Sequence, residues 1–302
     1  MYLTTLSPLI VANSLALFWG ANRMRDQASK LRKLVLDTAR EDHVTKIRAP
    51  RLIAIAGGRC GVGVTTFAIK LSTALSERGL RVLLVDTDLH PSAEHASLAD
   101  YCQIAPTDTL ADVLNFRRDI HEVVHSGPGA IQIIPGCPVA QPAVSSTALD
   151  RLLNQCRAMG RHADLVIFDV GSHVDTSMQQ CWQQADELVM VTTPHPTAIM
   201  DAYATLKNVT PTAAQQPIYC TVNQITPNTE ESTTVFERLD RSCRRFLQFG
   251  MQPLPAIPRA PELQNWKVDP TRPHAPDCPA TIALRLSAEI LATSHRTRHE
   301  AA

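Results

Sequence analysis

The chain has 302 residues and a balanced charge, with Lys+Arg 29 against Asp+Glu 29. Its apolar content of 44%, with 21 prolines and 12 glycines, excludes collagen, coiled coil and long disorder as the main architecture. Because the formal net charge is +0 and aromatic residues make up 5%, neither a chain-wide basic field nor an aromatic platform for single-stranded nucleic acid is expected. The eight cysteines form no CxxC pair, a pattern that disfavours structural zinc and is typical of a reducing cytoplasm.

The N-terminal segment is the exception to this ordinary composition. Residues 1–22 carry no charged side chain, and the basic residues begin at Arg23. A secretory signal has its positive charge before the apolar region, so an export signal is not predicted. Two interpretations stay open: a weak interfacial anchor whose basic side is cytoplasmic, or a translation start at Met24.

From residue 51 onward, short apolar runs alternate with segments of helical periodicity. Strands are predicted at 51–56, 80–85, 130–134, 165–168, 187–192 and 218–222, and helices at 65–78, 149–159, 198–206, 235–247 and 282–291. Strands that are apolar throughout and separated by helices indicate a mostly parallel sheet covered on both faces. The predicted class is therefore α/β, a doubly wound sheet, with one domain from about residue 50.

Polar residues follow several of these strands. Asp86, Asp169 and Asn223 stand at predicted strand ends, and a glycine-rich segment follows Ala56. In a doubly wound sheet ligands bind beyond the carboxyl ends of the strands. These residues are therefore expected to meet at one ligand-binding edge.

The segment Gly57-Gly-Arg-Cys-Gly-Val-Gly-Val-Thr-Thr66 has the spacing of a phosphate-binding loop between a strand and a helix. Its glycines allow backbone amides to turn inward around an anion, and the following helix adds its positive dipole end. Thr65 stands where a hydroxyl would bind Mg²⁺. These features predict a phosphate-loop nucleoside triphosphatase.

The loop lacks its expected lysine, since position 64 is Val64. Losing that charge-assisted contact is expected to weaken nucleotide binding about 10- to 100-fold. Hydrolysis is expected to suffer more, because charge develops on the transferred phosphoryl group. Arg59 either replaces the lysine in part or points to solvent, and the sequence leaves both open.

With Val85-Asp-Thr-Asp88, Asp169 and Val191-Thr-Thr-Pro194, the chain resembles the MinD/ParA class of deviant phosphate-loop ATPases. The resemblance implies ATP or ADP with Mg²⁺ as ligand, and it places Arg59 at the class's signature lysine. It implies catalysis by Asp88 and Arg59, Mg²⁺ binding by Thr65, Asp86 and Asp169, and nucleotide contacts from Gly58, Gly61, Val62, Gly63, Val64, Thr65, Thr66, Asn223 and Pro258. Asn223 would read adenine, and Pro258 belongs to a loop that closes over the base.

Within that class the chain is most similar to the FlhG (YlxH/FleN) group of flagellar regulators. Asp26-Gln-Ala-Ser-Lys-Leu-Arg32 resembles the group's N-terminal activator motif, and Val191-Thr-Thr-Pro-His-Pro-Thr197 resembles a second conserved segment. The resemblance implies that Asp26, Gln27, Leu31 and Arg32 bind an FlhF-type GTPase. Flagellar switch components and a nucleotide-dependent homodimer are further implied partners.

The expected organisation is an uncharged extension at 1–23, an activator helix and linker at 24–49, a phosphate-loop domain at 50–294 and a polar tail at 295–302. The expected location is the cytoplasm, with peripheral contact at the inner membrane. Because the tail has no apolar residue larger than alanine, membrane contact is assigned to the N-terminal extension rather than to the tail.

Three other functions share features with this sequence. A working ATPase that dimerises on ATP and positions cargo stays open if Arg59 has replaced the lysine. A capsule-type tyrosine kinase is rejected, because no tyrosine follows Tyr219. Nucleic-acid binding is disfavoured, because the arginines of segment 238–245 are expected to pair with Glu237 and Asp240 on a solvated helix face.

Overall fold

The computed structural model describes residues 48–89, 96–139, 144–173, 176–213, 216–226, 231–260 and 278–300. The chain divides into two units, Met1–Arg48 and Ala49–Ala302, and nearly all the described residues belong to the second unit. The extension over 1–23 and the motif residues Asp26, Gln27, Leu31 and Arg32 lie outside the described residues.

Within the described part, nine strands form one sheet. They are β1 (Arg51–Gly57), β2 (Val82–Asp86), β3 (His125–Ser126), β4 (Gln132–Ile134), β5 (Leu165–Gly171), β6 (Glu187–Thr192), β7 (Ile218–Ile225), β8 (Gln252–Pro253) and β9 (Ile257–Pro258). Their order is β3-β4-β2-β5-β1-β6-β7-β8, and β9 pairs with β7. Every pair is parallel except β3 with β4. The predicted mostly parallel sheet is confirmed.

Helices cover both faces of this sheet. They are α1 (Val64–Glu77), α2 (Leu98–Cys102), α3 (Leu110–Leu114), α4 (Ser146–Ala158), α5 (Thr176–Gln184), α6 (Pro196–Ala213), α7 (Glu231–Phe246) and α8 (Pro279–Glu300). None of the helices in the described ranges has an apolar stretch long enough to cross a bilayer. The short helices α2 and α3 were not predicted from periodicity, although each begins with a capping box, Ser97 with Asp100 and Thr109 with Asp112.

Alternate residues of β1 feed two separate hydrophobic cores. Leu52 and Ala54 pack on the side that carries α4 to α7. Ile53 and Ile55 pack on the opposite side, against α1 and α8. Since successive side chains of a strand point to opposite faces, an apolar strand with helices on both sides is the doubly wound arrangement that the sequence predicted.

Two predicted strand ends are wrong in a way that affects the site. β5 continues through Asp169 to Gly171, and β7 continues through Asn223 to Ile225. Both residues still pair with neighbouring strands, Asp169 with Ile55 and Asn223 with Ile257. They therefore lie within strands rather than after them, which fixes their backbones more firmly than a loop would.

The predicted end of the first helix is confirmed. Gly79 adopts a left-handed φ of +84°, and its N–H donates to the Ser76 carbonyl at 2.8 Å. The Leu80 N–H donates to the Leu75 carbonyl at 3.3 Å, so the Leu75 and Ser76 carbonyls near the end of α1 are satisfied.

Candidate nucleotide-binding site

The glycine-rich segment connects β1 to α1 as a tight loop. Gly61 and Gly63 have φ values of +83° and +93°, a region that favours residues without a Cβ. The Phe67 N–H donates to the Gly63 carbonyl at 2.9 Å, which begins the helix directly after the loop. Left-handed glycines ahead of a helix N-terminus present backbone N–H groups to an anion, so the predicted phosphate loop has the required backbone.

Two side chains of β7 hold this loop from outside. Asn223 Nδ2 donates to the Val62 carbonyl at 2.8 Å, and Gln224 Nε2 donates to the Gly61 carbonyl at 2.9 Å. The predicted role of Asn223 was to read adenine, whereas here its amide nitrogen bonds the loop while the residue also lines the adjoining cavity. Gln224 was not among the predicted site residues.

The side chain of Val64 is part of the core rather than of the anion site. It is 8% exposed and belongs to the core on the α1 side of the sheet. A Cβ on Gly57 would meet Val62 and Val64 at 2.6 and 2.7 Å, so these valines pack directly over that glycine. Position 64 therefore supplies no positive charge.

Arg59 lies against the start of α6. Its guanidinium donates to the Thr197 hydroxyl and lies 3.8 Å from the Asp201 carboxylate. The same hydroxyl is 2.8 Å from His195 Nδ1. A Cβ on Gly58 would meet the Ala202 backbone N at 2.2 Å, so the loop backbone is packed tightly on α6. The Arg59 side chain is 46% exposed, so it keeps the access to solvent that one sequence alternative expected while it also contacts α6.

Two carboxylates are buried at the ligand-binding edge. Asp86 and Asp169 are paired residues of β2 and β5, and they are 6% and 1% exposed. Burial raises the pKa of Asp169 to about 6, although a hydrogen bond from the Thr65 hydroxyl opposes the shift. Burial also raises the pKa of Asp86 well above its usual range, and the charges of Asp169 and Asp88 add to the effect.

These residues fit Mg²⁺. The ion prefers carboxylate and hydroxyl oxygens, and Thr65, Asp86 and Asp169 bring such oxygens together beside the phosphate loop. A bound cation would offset the cost of two buried, repelling carboxylates. The predicted metal-binding residues therefore lie together, and a divalent ion held there would neutralise phosphate oxygens.

Asp88 lies just beyond this pair. Its backbone N–H donates to Asp86 Oδ1 at 3.2 Å, and its side chain is 33% exposed. A Cβ on Gly171, whose φ is +69°, would meet Asp88 Oδ2 at 2.6 Å, so this glycine is needed for the close approach. His173 Nδ1 is 3.9 Å from Asp88 Oδ1. The carboxylate predicted to activate water is thus partly exposed and has an imidazole beside it.

A cavity of about 110 Å³ adjoins the loop. It contains four predicted nucleotide-contacting residues, Gly63, Thr66, Asn223 and Pro258. It is also lined by two cationic residues that the sequence analysis missed, Lys70 and Arg259. Lys70 follows Thr66 by four residues on the same face of α1, and a charged residue within that otherwise apolar stretch is the signal that could have revealed it.

Burial lowers the pKa of Lys70 to about 8, and Cys278 acts in the opposite direction.

Burial raises the pKa values of the Cys102, Cys137, Cys220 and Cys243 thiols to about 12. Cys60, in the phosphate loop, is the exposed cysteine among the described residues. Its Sγ is 3.1 Å from the Ser172 hydroxyl.

The arginine-rich helix α7 has one of its two predicted ion pairs. Arg244 Nε donates to Asp240 at 2.7 Å. Among the ion pairs of the described ranges, the predicted pair of Glu237 with Arg241 is absent, so that part of the interpretation is wrong. The Glu237 and Arg241 side chains are both exposed to solvent, where an ion pair contributes little to stability.

A parallel sheet whose first strand leads through an anion-binding loop into a helix, with paired carboxylates near the carboxyl ends of adjacent strands, defines the class of phosphate-loop nucleotide-binding proteins. A family model described as an AAA domain matches residues 50–217, more than half of the chain. The chain belongs to this family.

Among individual proteins, the chain is similar to an antiactivator and to a flagellum site-determining protein. The chain is 28% identical over 210 residues to the antiactivator FleN of Pseudomonas aeruginosa, a match that covers 69% of this chain and 73% of FleN. It is 26% identical to the flagellum site-determining protein YlxH of Helicobacter pylori, over 61% of this chain and 62% of YlxH. The predicted resemblance to FlhG and MinD proteins is confirmed.

The fold is also that of a solved MinD protein. The septum site-determining protein MinD of Pyrococcus horikoshii, complexed with Mg-ADP, has a TM-score of 0.63 and 21% identity, covering 82% of this chain and 98% of that chain. At this identity the likeness concerns the fold alone. It shows that the arrangement of strands and helices around the loop is the MinD arrangement.

Proposed function

We propose that this chain is a MinD-like regulator of flagellar number or placement that binds ATP or ADP with Mg²⁺ weakly and hydrolyses ATP poorly. Its similarity to FleN, an antiactivator, and to YlxH, a flagellum site-determining protein, supports the flagellar role. The Mg-ADP in the MinD protein of the same fold supports the nucleotide.

One observation carries the proposed weakness. The loop keeps its backbone geometry and the paired carboxylates, while the two expected lysine positions hold an uncharged valine and an arginine that is bonded to α6. Val64 is packed in the core, and Arg59 is bound by Thr197 and Asp201. Backbone amides and Mg²⁺ can still bind a diphosphate, but the charge that develops on a transferred phosphoryl group meets no lysine from the loop itself.

In the proposed mechanism each part of the site has one task. The amides of Gly61, Val62 and Gly63 would bind the phosphates, and Thr65, Asp86 and Asp169 would hold the metal ion. Asp88 orients or deprotonates a water molecule on the loop side. The cavity that Asn223 and Pro258 line receives the base. This arrangement favours a nucleotide sensor over a fast enzyme.

Calorimetric titration of MgATP and MgADP into the protein started at Met24 tests nucleotide binding. We expect weak, sub-millimolar binding together with slow phosphate release. Absence of heat at suitable concentrations would refute the nucleotide part and leave a scaffold whose surfaces alone carry function. Fast turnover would favour instead the alternative of a working ATPase that dimerises on ATP and positions cargo.

The proposed partner is an FlhF-type GTPase, contacted through Asp26, Gln27, Leu31 and Arg32. If an apolar face of this segment docks on the partner, Gln27 would be left to orient the attacking water in the partner's site. The test measures GTP hydrolysis by such a GTPase with and without this protein. We expect Gln27→Ala to abolish the stimulation, whereas Ser29→Ala, a change at a variable position of the same motif, should preserve it. Equal effects of the two variants would refute the role of Gln27.

Two further proposals concern assembly and location. Flagellar switch components and a nucleotide-dependent homodimer are proposed as additional partners, and the cytoplasm as the location, with peripheral contact at the inner membrane. Sedimentation of the protein with and without MgATP tests the homodimer, which predicts a doubled mass only with nucleotide. Fractionation of cells tests the location, and deletion of residues 1–23 tests whether that segment is responsible for membrane contact.

A further inference from the structure

Gln224 has a strained backbone beside the phosphate loop. Its φ of +60° is a left-handed conformation that disfavours any residue with a Cβ. It stands where the register between β7 and β9 shifts, between Asn223 and Ile225. We call this irregularity the β7 bulge; β-bulges re-aim a side chain and are over-represented beside active sites.

Neighbouring groups hold this conformation in place. The Gln224 N–H donates to Asn223 Oδ1 at 2.9 Å, and the Gln224 carbonyl accepts from Arg259 Nε at 3.2 Å. Local strain persists only where the surroundings determine it, and an observed case is a reason to look for a function. The side chain that the bulge presents donates from Nε2 to the Gly61 carbonyl at 2.9 Å.

This bond fixes the direction of a loop amide. In a planar trans peptide the carbonyl and the N–H point in opposite directions. The Gly61 carbonyl is held toward β7, so the Val62 N–H of the same peptide points away from β7. Asn223 Nδ2 holds the Val62 carbonyl at 2.8 Å in the same way, which directs the Gly63 N–H.

Neither Val64 nor Arg59, the loop residues at the expected lysine positions, fixes the direction of these loop N–H groups. Val64 is buried in the core, and Arg59 is bound to Thr197. We propose that Gln224 is a positioning residue of the phosphate loop, presented by the bulge in β7 so that loop N–H groups face a phosphate before nucleotide arrives. The inference rests on the proposed nucleotide binding and adds a residue that fixes the loop from outside. Donors oriented in advance bind an anion without a reorganisation cost.

A matched pair of glycine variants separates this role from simple relief of strain. Gln248 is also a glutamine with a left-handed φ, +64°, and its Nε2 donates to the Arg245 carbonyl at 3.2 Å, on α7. Gln224→Gly and Gln248→Gly should shift thermal stability by similar small amounts. Only Gln224→Gly should weaken MgADP binding, by about threefold to tenfold, the usual effect of one lost hydrogen bond. Gln224→Met, which keeps the length but removes the donor, should weaken it equally.

A second measurement needs no nucleotide. Backbone ¹⁵N order parameters of residues 61–63 in the full, nucleotide-free chain should fall in both Gln224 variants and stay at the wild-type value in Gln248→Gly. If wild-type protein binds no nucleotide, the proposed function fails while the order parameters still test the inference. A Gln224→Met protein with wild-type order parameters overturns it, as does one that binds MgADP with wild-type affinity.

Discussion

Asp86 and Asp169 stand opposite each other in adjacent parallel strands, and they are only 6% and 1% exposed. Two carboxylates in this position repel each other and lose hydration, so burial raises both pKa values. Without a cation the pair therefore costs stability at neutral pH, and with one it forms a binding site. The same geometry explains why stability and metal binding should respond in opposite directions to substitution.

Asp169→Asn should stabilise the nucleotide-free protein at neutral pH and weaken its binding of Mg²⁺ and MgADP. In the folded protein Asp169 keeps its proton up to about pH 6, compared with an ordinary pKa of 3.8. The folded state therefore binds more protons between these values, and its stability contribution falls as the pH rises from about 4 to about 6. Urea denaturation at several pH values should show this fall in wild type and a weaker one in the variant.

The matched control for this experiment is Asp150→Asn, because Asp150 is exposed on α4. It should leave the pH dependence and the Mg²⁺ affinity unchanged. Identical pH profiles for wild type and Asp169→Asn would contradict the inferred cost of burying the carboxylate.

Val64→Lys should strengthen MgATP binding by about 10- to 100-fold, the contribution of one charge-assisted contact. Position 64 is only 8% exposed, so a charged lysine there loses hydration. A loss of folding stability should therefore accompany the gain in affinity. Val64→Met is the control, since it has similar reach without charge and should not increase affinity. If Val64→Lys changes neither affinity nor turnover, another residue already supplies the cation, and Arg59 becomes the candidate.

Glu187→Gln should destabilise the fold by about 3–5 kcal/mol, the usual cost of breaking a buried ion pair. Glu187 is fully buried and bonds Arg51, whose guanidinium also donates to the Leu291 carbonyl of α8 at 3.1 Å. The double variant Arg51→Met with Glu187→Met should recover much of the loss, because neither charge is then left alone. Denaturant unfolding of the single and double variants measures the loss of unfolding free energy and its recovery.

The exposed ion pair of Arg118 with Glu122 is the reference for the comparison of single and double variants of Arg51 and Glu187. Glu122→Gln should cost far less than Glu187→Gln, since the pair lies in water. A comparable loss in Glu187→Gln would show that the buried pair does not stabilise the junction of β1, β6 and α8.

Lys70→Met should remove a pH dependence of stability in the alkaline range. The Lys70 pKa is lowered from 10.5 to about 8 in the folded protein, chiefly by burial. Between these values the unfolded chain binds more protons, so wild-type stability gains a contribution as the pH rises from about 8 to about 10.5. Unfolding at pH values across this range should show the gain in wild type, and in the exposed control Lys207→Met, but not in Lys70→Met. The same dependence in all three proteins would refute the shifted pKa.

Much of this protein is determined locally by its sequence. The apolar run at 52–56, which glycines end, predicts a buried strand, and the glycines of the 57–63 loop and at Gly79 mark sharp backbone turns before and after a helix. Strand-end carboxylates such as Asp86 were placed at the correct sheet edge because parallel strands bring their carboxyl ends together. Those patterns act over a few residues, so composition and spacing were sufficient to predict the class and the loop.

Contacts between distant segments decided the rest. Whether Arg59 reaches a phosphate or α6 depends on Thr197 and Asp201, more than 130 residues away in the chain. The bond from Gln224 to Gly61 depends on a bulge that exists only because β7 changes its register with β9. Burial, and with it the pKa of Asp169 or Lys70, is a property of the packed molecule. The sequence thus specified which groups are available, and the tertiary structure determined which of them meet.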